Sequence, residues 1–370
     1  MLSVYKQLPS LIKASLEGDK RTVELSTMTL IRKLKKEFPS VSEELANLMA
    51  DYNAGAPLTR SLGIDPPPVD KDSFSSLVQI TDVATFEDTM ILNDEVNQVI
   101  SRFIKERELS AKLIANGIKP PNSLLLFGPP GVGKTLLSKY VAHKLSLPLI
   151  TLDLSSAISS YLGKTGQNLK KVLEYGKDNP AVLLLDEFDA IAKTRDDPTD
   201  LGELKRIVNV LLKELEEWPS HSVIIGATNY SEFLDKAIWR RFDLKLEIHL
   251  PDEQQRLELW KAHLNKDILD INIEVLSSIA EAIKDISPSD IRQISEYVLR
   301  RVIIDGSDGT EILIKHLKEI YPGEKGNFNK QMVGVLSQSK SKLSQAKIAE
   351  ILGISPSTVN HHIKVAKKHQ

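Results

Sequence analysis

The residues best placed to do chemistry are Gly128, Pro129, Pro130, Gly131, Val132, Gly133, Lys134 and Thr135, followed by Leu136. Their spacing is GxxxxGK[ST], the phosphate-binding loop. Its glycines let backbone N–H groups converge on an anion, where side chains would block the approach and restrict φ. The apolar run Leu124 to Phe127 precedes the loop and a helix-forming segment, Leu136 to Leu147, follows it. The loop therefore opens a helix N-terminus, whose unpaired N–H groups and dipole favour negative charge. Lys134 is then the group to reach β- and γ-phosphates, and the Thr135 hydroxyl is a ligand for Mg²⁺. The bland alternative is a Gly/Pro loop ending by chance in Lys-Thr, and the flanking strand and helix argue against it. The chain is expected to bind a nucleoside triphosphate.

Three further stretches could complete such a site. Leu183-Leu184-Leu185-Asp186-Glu187 ends an apolar run in two carboxylates, 52 residues after Lys134. That puts them at the C-terminal edge of a buried strand, where open α/β sheets bind ligands. Asp186 would hold Mg²⁺ through its water shell, and Glu187 would accept a proton from an attacking water. Gly226-Ala227-Thr228-Asn229 ends another apolar run. Asn229 would orient that water or touch the γ-phosphate; a turn asparagine is the alternative. Trp239-Arg240-Arg241-Phe242-Asp243 offers two adjacent arginines. Neighbours on a regular strand face opposite ways, so both cannot enter one site. They are either a solvated basic pair or an arginine finger lent to a neighbouring subunit.

These residues need a sheet to hold them. Leu149 to Leu154, Ala181 to Leu185, Val223 to Ala227 and Leu244 to Leu250 read as strands, the middle ones nearly all apolar, as strands covered on both faces are. They alternate with helical segments, which predicts a parallel α/β sheet. Phe86 to Asn116 reads as an amphipathic helical stretch ahead of it. From Asp252 to about Pro322 the apolar spacing is helical again, a second piece without strands. Residues 1–52 also carry helical periodicity, and either pack as a bundle or dock partners. Gly55, Pro57, Gly63 and Pro66-Pro67-Pro68 then mark a semi-rigid spacer.

The order GPPGVGKT, LLLDEFDAI, IIGATN and RRFD resembles the AAA group of AAA+ ATPases, in its prokaryotic form with a single AAA module. Ser160-Tyr161-Leu162-Gly163-Lys164 resembles the pore loop, and Ile286-Ser287-Pro288-Ser289-Asp290-Ile291 the corresponding segment of the helical lid. The resemblance implies an α/β P-loop NTPase fold with a parallel sheet and a helical lid. It implies ATP and Mg²⁺ as ligands, and a homo-oligomer, a hexameric ring that pulls or remodels macromolecules. Tyr161, Leu162 and Gly163 would grip an extended protein substrate; a half-buried loop aromatic is the alternative for Tyr161. Glu187, Asn229, Arg240 and Arg241 would be the catalytic set. The family separates its two arginines, whereas these are adjacent, so the finger is open, with Arg241 matching the arginine directly before Phe-Asp. The lid segment lacks the second sensor arginine, as this group does, and Arg292 lies nearby to substitute. Some similar prokaryotic proteins work beside a separate protease, and this chain has no protease centre of its own.

Residues 343–360 carry a different signal. Ala349 is small where two helices would cross, Gly353 ends the first in a left-handed turn, and Ser355-Pro356 starts the second. The stretch resembles the helix-turn-helix of bacterial transcription regulators. Its second helix would expose Ser357, Thr358, Asn360, His361 and Lys364, types that contact bases and phosphates. Residues 326–370 hold seven lysines and one acid in a chain of net charge −2, so a basic surface for DNA would be confined to residues 330–370. A purely protein-binding helical module is the alternative.

With no cysteine, disulfides, thiolate metal sites and cysteine catalysis are excluded. No apolar run approaches the ~20 residues of a membrane helix, and no signal-peptide pattern opens the chain, so the expected location is the cytoplasm. The expected organisation is an N-terminal helical domain over 1–56 and a linker over 57–81. The nucleotide-binding domain then covers 82–252, the helical lid 253–324 and a small helix-turn-helix domain 325–370.

Overall fold

The computed structural model describes residues 8–16, 26–27, 29–30, 33–34, 38–42, 44–45, 64–68, 76–160, 165–190, 201–264, 268–269, 271–321, 325–338 and 344–366. The chain divides into two units, Met1–Pro67 and Pro68–Gln370. In the first, α1 (Leu8–Leu16) and further helical residues between 26 and 45 follow the helical spacing of the sequence. Leu30 is buried there, while Leu8, Ile12 and Leu16 face outward.

The second unit is built on six strands: β1 (Gln79–Thr81), β2 (Ser123–Phe127), β3 (Leu149–Asp153), β4 (Val182–Asp186), β5 (Val223–Thr228) and β6 (Leu244–Glu247). Their order is β1-β3-β4-β5-β2-β6, parallel throughout except for β1, which runs antiparallel to β3. Helices α2 (Asp94–Glu108), α3 (Ser110–Ala115), α4 (Lys134–Lys144), α5 (Leu154–Ser160), α6 (Thr165–Asp178), α7 (Leu201–Glu216) and α8 (Lys236–Trp239) accompany the sheet. Successive strand side chains face opposite sides. Leu125, Ile150, Leu183, Leu185 and Ile224 therefore enter one core with α6 and α7, while Leu124, Leu126, Leu149, Val182, Leu184 and Ile225 enter another with α2 and α4. That two-sided burial is why the strands read as unbroken apolar runs.

Two local expectations are corrected. The helix expected from Phe86 begins only at Asp94, because the Asn93 side chain accepts the Val96 N–H (2.7 Å) and caps it there. It also breaks at Leu109, between α2 and α3. Gln79–Thr81, placed in the linker from sequence, is strand β1, too short for alternation to register.

After the sheet come α9 (Glu253–His263), α10 (Ile273–Ala282), α11 (Pro288–Asp305) and α12 (Gly309–Ile320), then α13 (Lys325–Gln338), α14 (Gln345–Leu352) and α15 (Pro356–Ala366). One hydrophobic core runs through all seven. It joins Trp260, Ile279, Ile291, Val298 and Leu313 to Phe328, Met332, Leu336, Ile348, Leu352 and Val359. The Lys347 ammonium adds an ion pair from α14 to Glu311 of α12 (3.2 Å). Gly353 is left-handed (φ 54°) and Ser355 Oγ accepts the Thr358 N–H, giving the turn between α14 and α15. Among the described residues no helix is long and apolar enough to cross a membrane.

Candidate nucleotide site and helix-turn-helix surface

Strand β2 delivers the chain to Gly128 with Leu124, Leu125 and Leu126 buried and both edges paired, to β5 and β6. The loop is then pressed against its surroundings. A Cβ at Gly128 (φ 143°) would run into the Ile248 carbonyl, and one at Gly131 (φ 77°) would meet Ser287 Oγ at 2.6 Å. Only glycine fits at these two points. The loop ends in Gly133, the N-cap of α4, so the first N–H groups of that helix face the loop.

Lys134 Nζ donates to Gly128 O (2.8 Å), Pro129 O (2.8 Å) and Asn229 Oδ1 (2.7 Å). Burial lowers its pKa to about 8, while the Asp186 and Asp189 carboxylates act to raise it. The Thr135 hydroxyl donates to Asp186 Oδ2 (2.8 Å) at the end of β4. Glu187 follows in a left-handed conformation (φ 52°), its N–H on Asp186 Oδ1 (2.9 Å) and its side chain exposed. A left-handed non-glycine residue is uncommon and marks a backbone held by its surroundings. The hold is visible on the far side. Phe188 N donates to Ala227 O (2.8 Å), and the buried Asp189 accepts from Thr228 Oγ1 (3.1 Å) and Asn229 N (3.3 Å).

The four motif residues Lys134, Thr135, Asp186 and Asn229 thus meet at the C-terminal sheet edge, beside Glu187. They line a cleft of about 490 Å³. Pro130 to Leu136 line it, together with Asp88, Met90 and Ile91 from between β1 and α2 and Leu259, His263, Ser289 and Arg292 from after the sheet. An ammonium among loop N–H donors suits phosphate oxygens, and a hydroxyl beside a carboxylate is a hard-oxygen pair suited to Mg²⁺. The lid touches the loop directly, with Ser289 N donating to Gly131 O (3.1 Å). Arg292 reaches back to Asp88 (3.6 Å) and to Glu296 (3.0 Å). Burial, then the Arg292 guanidinium, hold the His263 pKa below its ordinary value.

The arginine pair lies elsewhere. Neither Arg240 nor Arg241 lines this cleft. Arg241 pairs with Glu216 at the end of α7, whereas Arg240, also exposed, has no ion-pair partner among the described residues. Asp243 is anchored, its carboxylate accepting from Asn122 N (2.8 Å), Ser123 N (3.2 Å) and Ser123 Oγ (2.9 Å). Tyr161, Leu162 and Gly163 lie outside the described residues. Sequence reasoning missed Asp189 and Asp243. The third acid in Asp186-Glu187-Phe188-Asp189 is the only trace of the first; the second stands at the end of the RRFD stretch, but nothing local signals that it binds Asn122 and Ser123.

On α15, Ser357, Asn360, His361 and Lys364 are exposed, while Val359 is buried in the common core. Thr358 is half-buried and its hydroxyl is bonded to Ser355 Oγ (2.7 Å), so it serves the helix start as well as the surface. Burial, then His361 and Lys330, lower the pKa of His362.

Comparison with known families agrees with both halves. Residues 124–250 match the model of the ATPase family associated with various cellular activities (AAA), and residues 336–368 match winged helix-turn-helix DNA-binding domains. An uncharacterised AAA family ATPase of Sinorhizobium fredii is 42% identical over 155 residues, 42% of this chain and 47% of that one. A proteasome-activating nucleotidase of Methanocaldococcus jannaschii is 36% identical over 213 residues, 55% of this chain and 48% of that one. A cell division cycle protein 48 homolog of Archaeoglobus fulgidus is 34% identical over 232 residues, 59% of this chain and 31% of that one. The chain spans about half the length of the first two and less of the third. With the loop geometry and these matches in agreement, residues 124–250 of the chain form an AAA ATPase domain, and a helix-turn-helix segment follows it.

Proposed function

We propose that this chain is the subunit of a homo-oligomeric ring, of six by the family's habit, that hydrolyses ATP to remodel or thread a macromolecular substrate. The observation that carries the reading is the Lys134 ammonium. It is held between two loop carbonyls and Asn229, above the Thr135–Asp186 pair. An arriving triphosphate would offer this buried cation better partners than neutral carbonyls, since bonds between charged groups are the stronger ones. Lys134 would then release Asn229, which becomes free to orient a water. Glu187 stands at the open side of the cleft and would take that water's proton. Mg²⁺, held through Thr135 and Asp186, would supply charge neutralisation between the β- and γ-phosphates. Arg240 and Arg241 do not line their own cleft, which supports a role on the adjoining subunit's triphosphate. Tyr161, Leu162 and Gly163 would grip an extended protein in the channel of such a ring. The proteasome-activating relatives make a separate protease a partner to test.

A second reading is supported by the core that α13, α14 and α15 share with the lid. In it, ATP gates a DNA-binding regulator through Ser357, Thr358, Asn360, His361 and Lys364, and sets its oligomeric state. The two readings separate on Tyr161→Ala. Loss of substrate work with ATPase retained supports the motor, whereas an unaltered phenotype that vanishes when the exposed Asn360, His361 and Lys364 are replaced by alanine supports the regulator. Both require the triphosphate site. Lys134→Ala should remove ATP binding and turnover, and Glu187→Gln should keep binding while lowering kcat by about 10²–10⁴-fold. ATPase activity untouched by Lys134→Ala would sink both.

A further inference from the structure

The two arginines are bracketed by aromatic contacts that each end on the nucleotide site. Trp239 closes α8 immediately before Arg240, and its ring lies 5.0 Å from that of Phe127. Phe127 is the last residue of β2 and precedes Gly128. On the other side Phe242, fully buried, meets Phe188 edge-on, with ring centres 5.9 Å apart and planes at 76°. Phe188 directly follows Glu187. The two rings fill the space that Gly226 leaves in β5, since a Cβ there would meet Phe242 Cζ at 3.0 Å and Phe188 Cδ2 at 3.4 Å. Asp243 then pins the segment to the start of β2 through its bonds to Asn122 and Ser123. The Phe188–Phe242 contact is buried, and buried contacts are close-packed and pass on small displacements rather than absorbing them.

We propose that Trp239 and Phe242 are positioning residues that tie Arg240 and Arg241 to this protomer's own phosphate loop and catalytic turn. What an adjoining protomer receives from the arginines then depends on the site behind them. The inference rests on the reading that the arginines act on an adjoining subunit. Glu187 is the sensitive point of the linkage. It stands in a left-handed conformation one residue from Phe188, so a change in its backbone as the site fills reaches the Phe188–Phe242 contact first. The path from a protomer's own triphosphate to the arginines it presents is two side chains long on either side.

The test mixes full-length subunits. Unaltered subunits are assembled with an excess of Glu187→Gln subunits, so that most active sites have an altered neighbour. The kcat per unaltered subunit and the KM for ATP are then measured. Adding Phe242→Leu to the Glu187→Gln subunits should lower that kcat by about tenfold with KM unchanged, since an ångström of misplacement can cost ~10²-fold. Trp239→Leu, at a half-buried position, should lower it less. Both should leave ATP affinity of the Glu187→Gln subunits and the mass of the assembly unchanged. If Phe242→Leu subunits do not fold, Trp239→Leu carries the test alone. A kcat unmoved by every folded variant overturns the inference. Replacing Arg240 and Arg241 by alanine in the same Glu187→Gln subunits separates the two levels. If that also leaves kcat unmoved, the arginines do not act across subunits. If it abolishes turnover while Phe242→Leu and Trp239→Leu do not lower it, only the positioning role falls.

Discussion

The nucleotide site and the outward side of α15 solve placement in opposite ways. At the sheet edge the chemical groups are bonded to one another: Lys134 to Asn229, Thr135 to Asp186, and Asn229 through Asp189 to the turn after Glu187. On α15 the outward side chains Ser357, Asn360, His361 and Lys364 are exposed, and what fixes them is a buried side, Val359 and the core below it. A preorganised charged site loses most when one member goes. A surface of separate contacts loses in small steps.

That contrast can be broken at several points. The largest effect should come from alanine at both 240 and 241, which we expect to lower kcat by about 10³-fold with ATP affinity retained. A loss below tenfold would mean the site is complete within one chain. Next is Leu352→Ala, which removes a buried side chain where α14 meets the lid core. It should destabilise the unit by about 2–5 kcal/mol, and thermal unfolding should show the lid and helix-turn-helix melting together. Two separate transitions would contradict a common core. Lys364→Ala should weaken DNA binding evenly across sequences and reduce the slope of log affinity against log salt by about 1; an unchanged slope removes Lys364 from the phosphate contacts. The smallest effect concerns His263. Its pKa is lowered in the folded chain, so acid protonates the unfolded chain more readily and favours it. This destabilisation is absent well above the ordinary histidine value and grows as pH falls through it. His263→Gln should flatten that part of the stability–pH profile, and an identical profile would show that the group does not matter.

Much of the sheet and cleft could be read from the chain because their signals are local. A glycine-rich loop between an apolar run and a helix has few structural solutions, and apolar runs ending in Asp-Glu or Thr-Asn put polar groups at a strand end. Arg240 and Arg241 could be read as a pair, but only coordinates separate them, since Glu216 lies 25 positions from Arg241 in sequence. The anchoring roles of Asp189 and Asp243 were not legible, because each acts on a backbone brought in from another part of the sheet. Strand β1 was too short, and the capped start of α2 depended on one asparagine. The continuity of the lid core into α13, α14 and α15 was hidden for the same reason. Helical periodicity tells which side of a helix is greasy, not which neighbour covers it.

That continuity has a consequence for descent. Phe328, Met332, Val333 and Leu336 of α13 are buried in the same core as the lid helices, so the helix-turn-helix is no interchangeable cassette. A lineage shedding it would have to reseal the lid with new side chains.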